Sequence, residues 1–308
     1  MLTLCLAATQ PTSSRIPIET FGACTGGSGG SRLTLWQGAL LGLLQGLTEF
    51  LPVSSSGHLV VMRWALGIHP PGALVETALH VGTLAAVVAV YLPQIARLVR
   101  SLKSQRDTSG WRMLGALTLG SLPAAAVGLL ARRAIESRFN DPASAAWGLL
   151  GTTCLLLSLA LLPGRMGRAG TDSRPLRPER FRAPSTLASL TVGFFQALAL
   201  LPGVSRSGAT IVAGRWTGLS PEDSAAFSFL LSVPAVVGAA ILEGGQYSGG
   251  HATVVTPLWL LVSATVAAVT GYVALRAVLR LVAGGRLWLF APYTLVIAMV
   301  TLVMLRLR

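Results

Sequence analysis

The sequence predicts an all-α polytopic membrane protein, with six transmembrane helices and two re-entrant helical hairpins in an inverted-topology repeat. Its 308 residues are 52% hydrophobic and only 11% charged, which is too apolar for an ordinary soluble domain. Six segments are long and apolar enough to cross a bilayer. Two further pairs of apolar segments are shorter, and the two pairs are similar to each other in sequence.

The first 33 residues are predicted to be a disordered N-terminal extension, followed by a single integral-membrane domain over 34–308. The extension begins with a short apolar patch and continues through Thr, Ser and Gly. It lacks the basic start and the long apolar stretch of a signal peptide. The three cysteines, Cys5, Cys24 and Cys154, form no CxxC pair, so neither a disulfide framework nor a zinc site is expected.

The first hairpin is predicted over 34–51 and 57–67, two apolar stretches that are too short to span. Gln45 and Glu49 stand four apart, so they share one face of the first helix. The helix then breaks at Pro52, which is followed by three serines, a glycine and His58. Polar groups at membrane depth need a function, so this turn is the first candidate site.

The six predicted spans hold about 20 apolar residues each, the length that crosses the hydrocarbon core. Three of them, at 73–93, 113–131 and 144–162, come before the second hairpin, which is predicted over 186–201 and 208–219. The other three follow it at 224–242, 255–275 and 287–305.

The distribution of basic residues predicts the orientation of the chain. Arg and Lys cluster in the loops after the first and third spans, and both loops are therefore expected to be cytoplasmic. The first hairpin then enters from outside and the second from the cytoplasm. The net charge of +13 suits anionic lipid headgroups, whereas the basic stripes with interleaved aromatics that bind nucleic acid are absent.

An internal repeat supports the opposite orientation of the two halves. Residues 42–57 and 193–208 share seven identities in sixteen positions, and most of these fall on Gly, Gln and Ser. The two repeats are predicted to cover about 34–131 and 186–275. Inverted repeats whose broken helices meet near the middle of the membrane are a known architecture of membrane proteins.

The two turns together contain the groups needed for phosphoryl transfer. Each turn is rich in hydroxyl residues and glycine and precedes a new helix, which favours an anion-binding site. The candidate residues are Ser54, Ser55, Ser56, Gly57 and His58 in the first turn, and Ser205, Arg206, Ser207 and Gly208 in the second. Glu49 and Gln45 could bind a hard cation through oxygen. Because apolar helices surround the site, the substrate is expected to carry a hydrophobic tail.

The strings QGLTEFLPVSSSGH and PGVSRSGAT, followed by FSFLLSVPAVVGA, resemble the undecaprenyl-diphosphate phosphatase family of bacitracin-resistance membrane phosphatases. The resemblance extends over about residues 34–305. It implies hydrolysis of the C55 isoprenoid diphosphate to the monophosphate carrier lipid of peptidoglycan synthesis. It also implies a site at the outer face of the bacterial inner membrane and a requirement for Mg²⁺ or Ca²⁺.

The resemblance also assigns roles to residues. The family's glutamate motif falls on Gln45 and Glu49, where glutamine replaces a common glutamate and removes one negative charge. The serine and histidine of the family fall on Ser55 and His58, and its arginine motif falls on 205–207. Ser55 is favoured as the nucleophile with His58 as its base, and direct attack by His58 is left open.

Two other functions remain as alternatives. A transporter or flippase of a lipid phosphate or small anion could use the same inverted repeat and anion site. The other superfamily of membrane lipid phosphatases shares only the triplet Ser56-Gly57-His58 with this chain.

Glu76 and His80 are expected to face the site from the first span. The sequence leaves the oligomeric state open, and a homodimer is among the candidates.

Overall fold

The computed structural model describes residues 34–66, 72–104, 107–139, 141–161, 182–244 and 256–307. Within these ranges the chain forms eleven α-helices, one short 3-10 helix and no strand. The predicted extension over 1–33 and most of the second basic loop lie outside the described residues. The helices are α1 Leu35–Phe50, α2 Ser55–Leu66, α3 Gly72–Leu102, α4 Ser109–Leu130, α5 Arg132–Arg138, α6 Pro142–Ala160, α7 Thr186–Leu198, α8 Arg206–Trp216, α9 Pro221–Gly244, α10 Pro257–Ala283 and α11 Ala291–Leu307, with the 3-10 helix at Leu287–Phe290.

Six helical segments of the described chain are long and apolar enough to cross a membrane, which confirms the number of predicted spans. The largest difference at an end is in α3, which continues through Pro93 to Leu102 instead of stopping near residue 93. Proline removes one helical hydrogen bond and bends the helix. Beyond it, Ile95 and Leu98 pack against the main hydrophobic core, and this packing favours continuation of the helix.

Helix α1 lies very close to α10 because glycines line its contact face. A Cβ atom on Gly42 would collide with the backbone carbonyl of Ser263, and one on Gly46 would collide with the Thr270 side chain. Small residues at a helix interface allow this approach in membrane proteins. Since successive turns of α1 meet successive turns of α10, the two helices run parallel.

Helices α4 and α7 also run parallel. A Cβ atom on Gly120 would lie 3.3 Å from the carbonyl oxygen of Ser189, and one on Gly128 would lie 3.7 Å from the side chain of Leu200, just beyond α7. Contacts therefore advance in the same direction along both helices. Each short helix that precedes a serine-rich turn thus has a long helix beside it.

Helix α6 begins at Pro142 because Asp141 caps it. The Asp141 carboxylate accepts hydrogen bonds from the amides of Ala143 and Ser144 and from the Ser144 hydroxyl. The bond from this hydroxyl lowers the pKa of Asp141. Proline at the first helical position loses no hydrogen bond, so Pro142 fits this start. The cap fixes one end of the helix that supports the second turn described below.

Candidate active site

The turn between α1 and α2 packs directly against the turn between α7 and α8. A Cβ atom on Gly57 would lie only 2.9 Å from Gly203 Cα, so position 57 has no room for a side chain. A Cβ atom on Gly208 would lie 3.3 Å from Pro52 Cβ. The two turn motifs, which are far apart in sequence, therefore form one site.

Glu49 makes the polar contacts that join the two turns. Its Oε2 accepts hydrogen bonds from the Ser55 hydroxyl at 2.6 Å and from Gln45 Nε2 at 2.9 Å. Its Oε1 forms an ion pair with the guanidinium of Arg206. A buried carboxylate is costly unless it is both paired and hydrogen-bonded, and these partners meet that requirement. The structure thus brings the predicted residues Gln45, Glu49, Ser55 and Arg206 into direct contact.

His80, on α3, extends this network. Gln45 Nε2 lies 3.0 Å from His80 Nδ1, and Glu49 Oε2 lies 3.5 Å from the same nitrogen. The expectation that His80 faces the site is confirmed by these contacts.

The two serine-rich turns have the same hydrogen bonds. Ser54 Oγ accepts a bond from the Gly57 amide and lies 3.2 Å from Ser56 Oγ. The same pattern, with a 3.2 Å distance between the two hydroxyl oxygens, is formed in the second turn by Ser205, Ser207 and Gly208. These bonds hold the N-termini of α2 and α8 beside the junction of the turns, where backbone N–H groups and the helix dipole favour an anion.

Ser54 has an unusual backbone conformation. Its φ is +65°, in the left-handed region that favours glycine, which costs a serine about 1–2 kcal/mol. Its carbonyl oxygen accepts hydrogen bonds from the His58 amide at 3.1 Å and from His58 Nδ1 at 2.8 Å. Backbone strain of this kind is typical of functional sites, and the strained residue here is the one whose carbonyl oxygen bonds the His58 ring.

His58 contacts different residues from those the resemblance suggested. Besides the bond to Ser54, its Nε2 lies 2.8 Å from the hydroxyl of Tyr293 on α11. The Ser55 hydroxyl donates to Glu49 instead, so this geometry favours Glu49 over His58 as the group that takes the Ser55 proton. Tyr293 is 235 positions from His58 and belongs to neither motif, and no local pattern marks it.

Thr152 on α6 fixes the backbone of the second turn. Its hydroxyl donates to the Gly203 carbonyl at 2.8 Å and accepts from the Ser205 amide at 2.8 Å. Gly203 has a φ of +88° and would collide with α6 if it carried a Cβ atom. Thr152 and glycine at position 203 together set the position from which α8 and Arg206 start.

Thr152→Val is expected to lower the melting temperature in detergent by about 5 °C or more. Valine has nearly the same shape, but it leaves a buried carbonyl and a buried amide without their partner, at about 1–3 kcal/mol for each. Thr153→Val is the matched control, because the partners of the Thr153 hydroxyl within the described ranges are the Leu149 carbonyl and the Thr294 hydroxyl. Equal melting temperatures for the two variants, measured by thermal unfolding of purified protein, would contradict this account of the turn.

Gln45 also offers an oxygen that could bind a metal ion. Gln45 Oε1 is buried and has no hydrogen-bond partner in the described part of the chain. Amide and carboxylate oxygens, as in Gln45 and Glu49, are ligands of the kind that Mg²⁺ and Ca²⁺ prefer. The described residues include no group of three or more His, Cys, Asp or Glu side chains that could hold a metal ion.

The fold and the site define a class: a multi-pass helical membrane protein in which a buried serine and a buried carboxylate lie with an arginine where two helix N-termini meet. The chain belongs to the family described as bacitracin resistance protein BacA, whose model matches residues 38–300.

Three relatives match the chain over most of their length. It is 38% identical to the undecaprenyl-diphosphatase of Desulfosudis oleivorans over 279 residues, which cover 86% of this chain and 97% of that protein. It is 35% identical to the undecaprenyl-diphosphatase of Thermomicrobium roseum over 280 residues, covering 88% and 98%. Undecaprenyl-diphosphatase 3 of Frankia alni is 36% identical over 282 residues, covering 85% and 91%.

Proposed function

We infer that this chain hydrolyses undecaprenyl diphosphate to undecaprenyl phosphate and inorganic phosphate. The family match and the names of the similar proteins support this activity. The structural observation that carries the inference is the contact of Ser55 and Arg206 with one buried carboxylate, Glu49. The product is the carrier lipid of peptidoglycan synthesis, and its recycling accounts for the bacitracin resistance in the family description.

In the proposed first step, Ser55 Oγ attacks the terminal phosphorus of the diphosphate. Its proton passes to Glu49 Oε2, which accepts the Ser55 hydrogen bond at 2.6 Å. The bond between this phosphorus and the bridging oxygen breaks, and the lipid monophosphate leaves with that oxygen. Arg206 contacts Glu49 through one nitrogen, so its other N–H groups are available for the phosphate oxygens.

In the proposed second step, a water oxygen attacks the phosphorus of the phosphoserine and the bond between Ser55 Oγ and phosphorus breaks. The proton that Glu49 took in the first step returns to Oγ, and His58 takes up the proton that the water loses. The Ser54 carbonyl can only accept a hydrogen bond, so the ring proton of His58 is on Nδ1 and the lone pair is on Nε2. Direct attack by His58 on phosphorus is the alternative. Serine is favoured because Ser55 donates to a buried carboxylate, whereas His58 has no such partner among its described contacts.

The N-termini of α2 and α8 are proposed to bind the phosphate oxygens. Their first turns are capped by Ser54 and Ser205, and both helices start at the junction where Ser55 and Arg206 lie. Backbone N–H groups and the helix dipole stabilise the negative charge that the reaction moves between oxygens. Ser56, Ser207, Gly57 and Gly208 belong to the same phosphate-binding turns in this proposal.

Mg²⁺ or Ca²⁺ is the proposed cofactor. Gln45 Oε1 and the Glu49 carboxylate would hold the ion, and Gln45 Oε1 is buried with no hydrogen-bond partner among the residues that the structure describes. When bound, the ion would neutralise part of the charge of the diphosphate. Glutamine at position 45 brings no charge of its own, so Glu49 supplies the negative charge of this pair.

The directions of the helices support an inverted repeat of two re-entrant hairpins. Helix α3 runs parallel to α10, because Gly82 lies against Ala264 and Gly271 lies against Ala86. Helix α1 also runs parallel to α10, whereas α7 runs parallel to α4, the span that follows α3. Consecutive spans cross in opposite directions, so α1 and α7 enter the membrane from opposite sides in this proposal.

The charges at the helix ends support a site that opens to the outer side of the bacterial inner membrane. Parallel α3 and α10 end in Arg97 and Arg100 and in Arg276 and Arg280, so both basic ends lie on the same side. Basic residues accumulate at the cytoplasmic surface. The first hairpin then enters from the periplasm.

The proposal is tested with purified protein in detergent, undecaprenyl diphosphate as substrate, and assays of both products. Wild-type protein is expected to release phosphate and lipid monophosphate in equal amounts. Removing divalent ions with EDTA is expected to lower the rate at least about 10-fold, and adding Mg²⁺ is expected to restore it. A rate unchanged by EDTA would contradict the metal proposal.

The same preparation distinguishes a hydrolase from a transporter. Protein reconstituted in vesicles that moves the labelled lipid between leaflets, but forms no lipid monophosphate in detergent or in vesicles, would overturn the phosphatase. Release of phosphate by protein in detergent, where there is no second leaflet, is the result expected of a hydrolase.

A further inference from the structure

Tyr293 stands against His58 in a specific arrangement. The two rings are nearly parallel, with an interplanar angle of 5° and centroids 5.6 Å apart. The Tyr293 hydroxyl lies 2.8 Å from His58 Nε2. A ring contact and a hydrogen bond made by one side chain restrict both the position and the orientation of the imidazole.

The neighbours of Tyr293 fix its place at the start of α11. Ala291 and Thr294 on either side of it are fully buried. The Thr294 hydroxyl lies 2.8 Å from that of Thr153 on α6. Thr152, next to Thr153 on α6, bonds the backbone of the turn that precedes Arg206. Helix α6 thus supports the residue that contacts His58 and the turn that contacts Glu49.

The hydrogen-bond donors determine which nitrogen of His58 carries the proton. The Ser54 carbonyl requires a proton on Nδ1, which leaves Nε2 as an acceptor. The Tyr293 hydroxyl can then only donate to Nε2 of the neutral ring. Both bonds favour the same tautomer, whose lone pair on Nε2 accepts the Tyr293 hydroxyl proton. A proton from water can therefore reach Nε2 through the Tyr293 oxygen, which still has lone pairs that can accept a hydrogen bond from water.

We propose that the Tyr293 hydroxyl passes the proton of the attacking water to His58 in the second step of hydrolysis: its oxygen accepts the water proton as its own proton moves to Nε2, and its ring holds the imidazole in place for this transfer. The proposal rests on the phosphatase activity inferred above. It assigns to α11 a part in the site that neither turn motif contains. Tyr293 acts through His58, so its removal should change turnover and not substrate binding.

The test compares wild-type protein, Tyr293→Phe and Tyr272→Phe in detergent. Tyr293→Phe removes the hydroxyl and keeps the ring. It is expected to lower kcat about 10-fold, the effect of losing one neutral hydrogen bond, and to leave KM within about 2-fold. Tyr272→Phe is the matched control, because Tyr272 is 41% exposed, close to the 45% of Tyr293, and its ring contacts Arg276. Its kcat and KM are expected to equal those of wild type.

A second readout reports on His58 directly. Protein labelled with ¹⁵N-histidine gives ring-nitrogen resonances, and the His58 signals are those lost in His58→Gln. The Nε2 resonance is expected to lie in the unprotonated range in wild type, to move downfield in Tyr293→Phe as its hydrogen-bond donor is lost, and to stay unchanged in Tyr272→Phe.

An Nε2 resonance that is the same in wild type and Tyr293→Phe would overturn the proposal, as would a kcat that does not fall. The proposal also requires that Tyr293→Phe lower the rate no further in a His58→Ala background, since the hydroxyl acts through that ring. Absence of phosphate release by wild type would instead refute the phosphatase, and the resonance would still report the contact between Tyr293 and His58.

Discussion

Glu49→Gln is expected to lower phosphate release about 1,000-fold or more while the protein still folds. The amide has almost the same shape as the carboxylate, but it is not a base that can take the Ser55 proton, and it gives Arg206 no ion pair. Loss of a general base together with the electrostatic organisation of a buried site accounts for an effect of this size. The measurement is the steady-state rate at saturating lipid diphosphate, with size-exclusion chromatography to verify folding.

Glu136→Gln is the matched control for this change. Glu136 also pairs with an arginine, Arg132, at 2.6 Å, but its side chain is 56% exposed and it lies on α5, which contributes no residue to the site. Exposed ion pairs contribute little to stability, so the rate of phosphate release by Glu136→Gln should stay within about 2-fold of wild type. A Glu49→Gln variant that keeps more than about a tenth of wild-type activity would rule out Glu49 as the proton acceptor.

Arg206→Ala is expected to lower kcat about 1,000-fold and to destabilise the protein. Without Arg206, the phosphate loses its guanidinium contacts and Glu49 is left as a buried charge without its cation. Arg206→Lys keeps the charge but not the planar set of donors, so it should recover only part of the rate. Phosphate release and thermal unfolding in detergent measure the two effects.

The double variant Arg206→Ala/Glu49→Gln separates catalysis from stability. It removes the unpaired charge, so the melting temperature should return toward that of wild type while the activity stays lost. Arg215→Lys, at the other end of α8, is the control for changing an arginine on the same helix, because Arg215 donates to the Leu219 carbonyl. Full activity in Arg206→Ala, or a stable protein only when Glu49 is kept, would contradict the paired roles.

Most of the fold could be predicted because it depends on local patterns. A run of about 20 apolar residues identifies a span wherever its neighbours lie. The breaks after Phe50 and Leu198 are marked by Pro and Gly in the turns that follow. The extension of α3 beyond Pro93 was not predicted, since it depends on packing of Ile95 and Leu98 against other helices.

The candidate site was predictable where one motif carries several of its groups. Gln45, Glu49 and Ser55 lie within eleven positions, and the repeat relates their turn to the one that carries Arg206. The partner of each group was harder to predict, because it depends on where helices from distant parts of the chain meet. The sequence favours His58 as the base for Ser55, whereas the Ser55 hydroxyl bonds Glu49 in the structure. Tyr293 and Thr152 lie in apolar spans without any motif.

If Ser55 attacks phosphorus while its proton passes to Glu49, the phosphorylated protein can be trapped during turnover. Undecaprenyl diphosphate labelled with ³²P in the terminal phosphate is mixed with purified protein, quenched within milliseconds and digested for peptide mapping. The account predicts label on the peptide that contains Ser55, stable to acid and released by base, and absent in Ser55→Ala and Glu49→Gln. Acid-labile, base-stable label on His58 that persists in Ser55→Ala would contradict it.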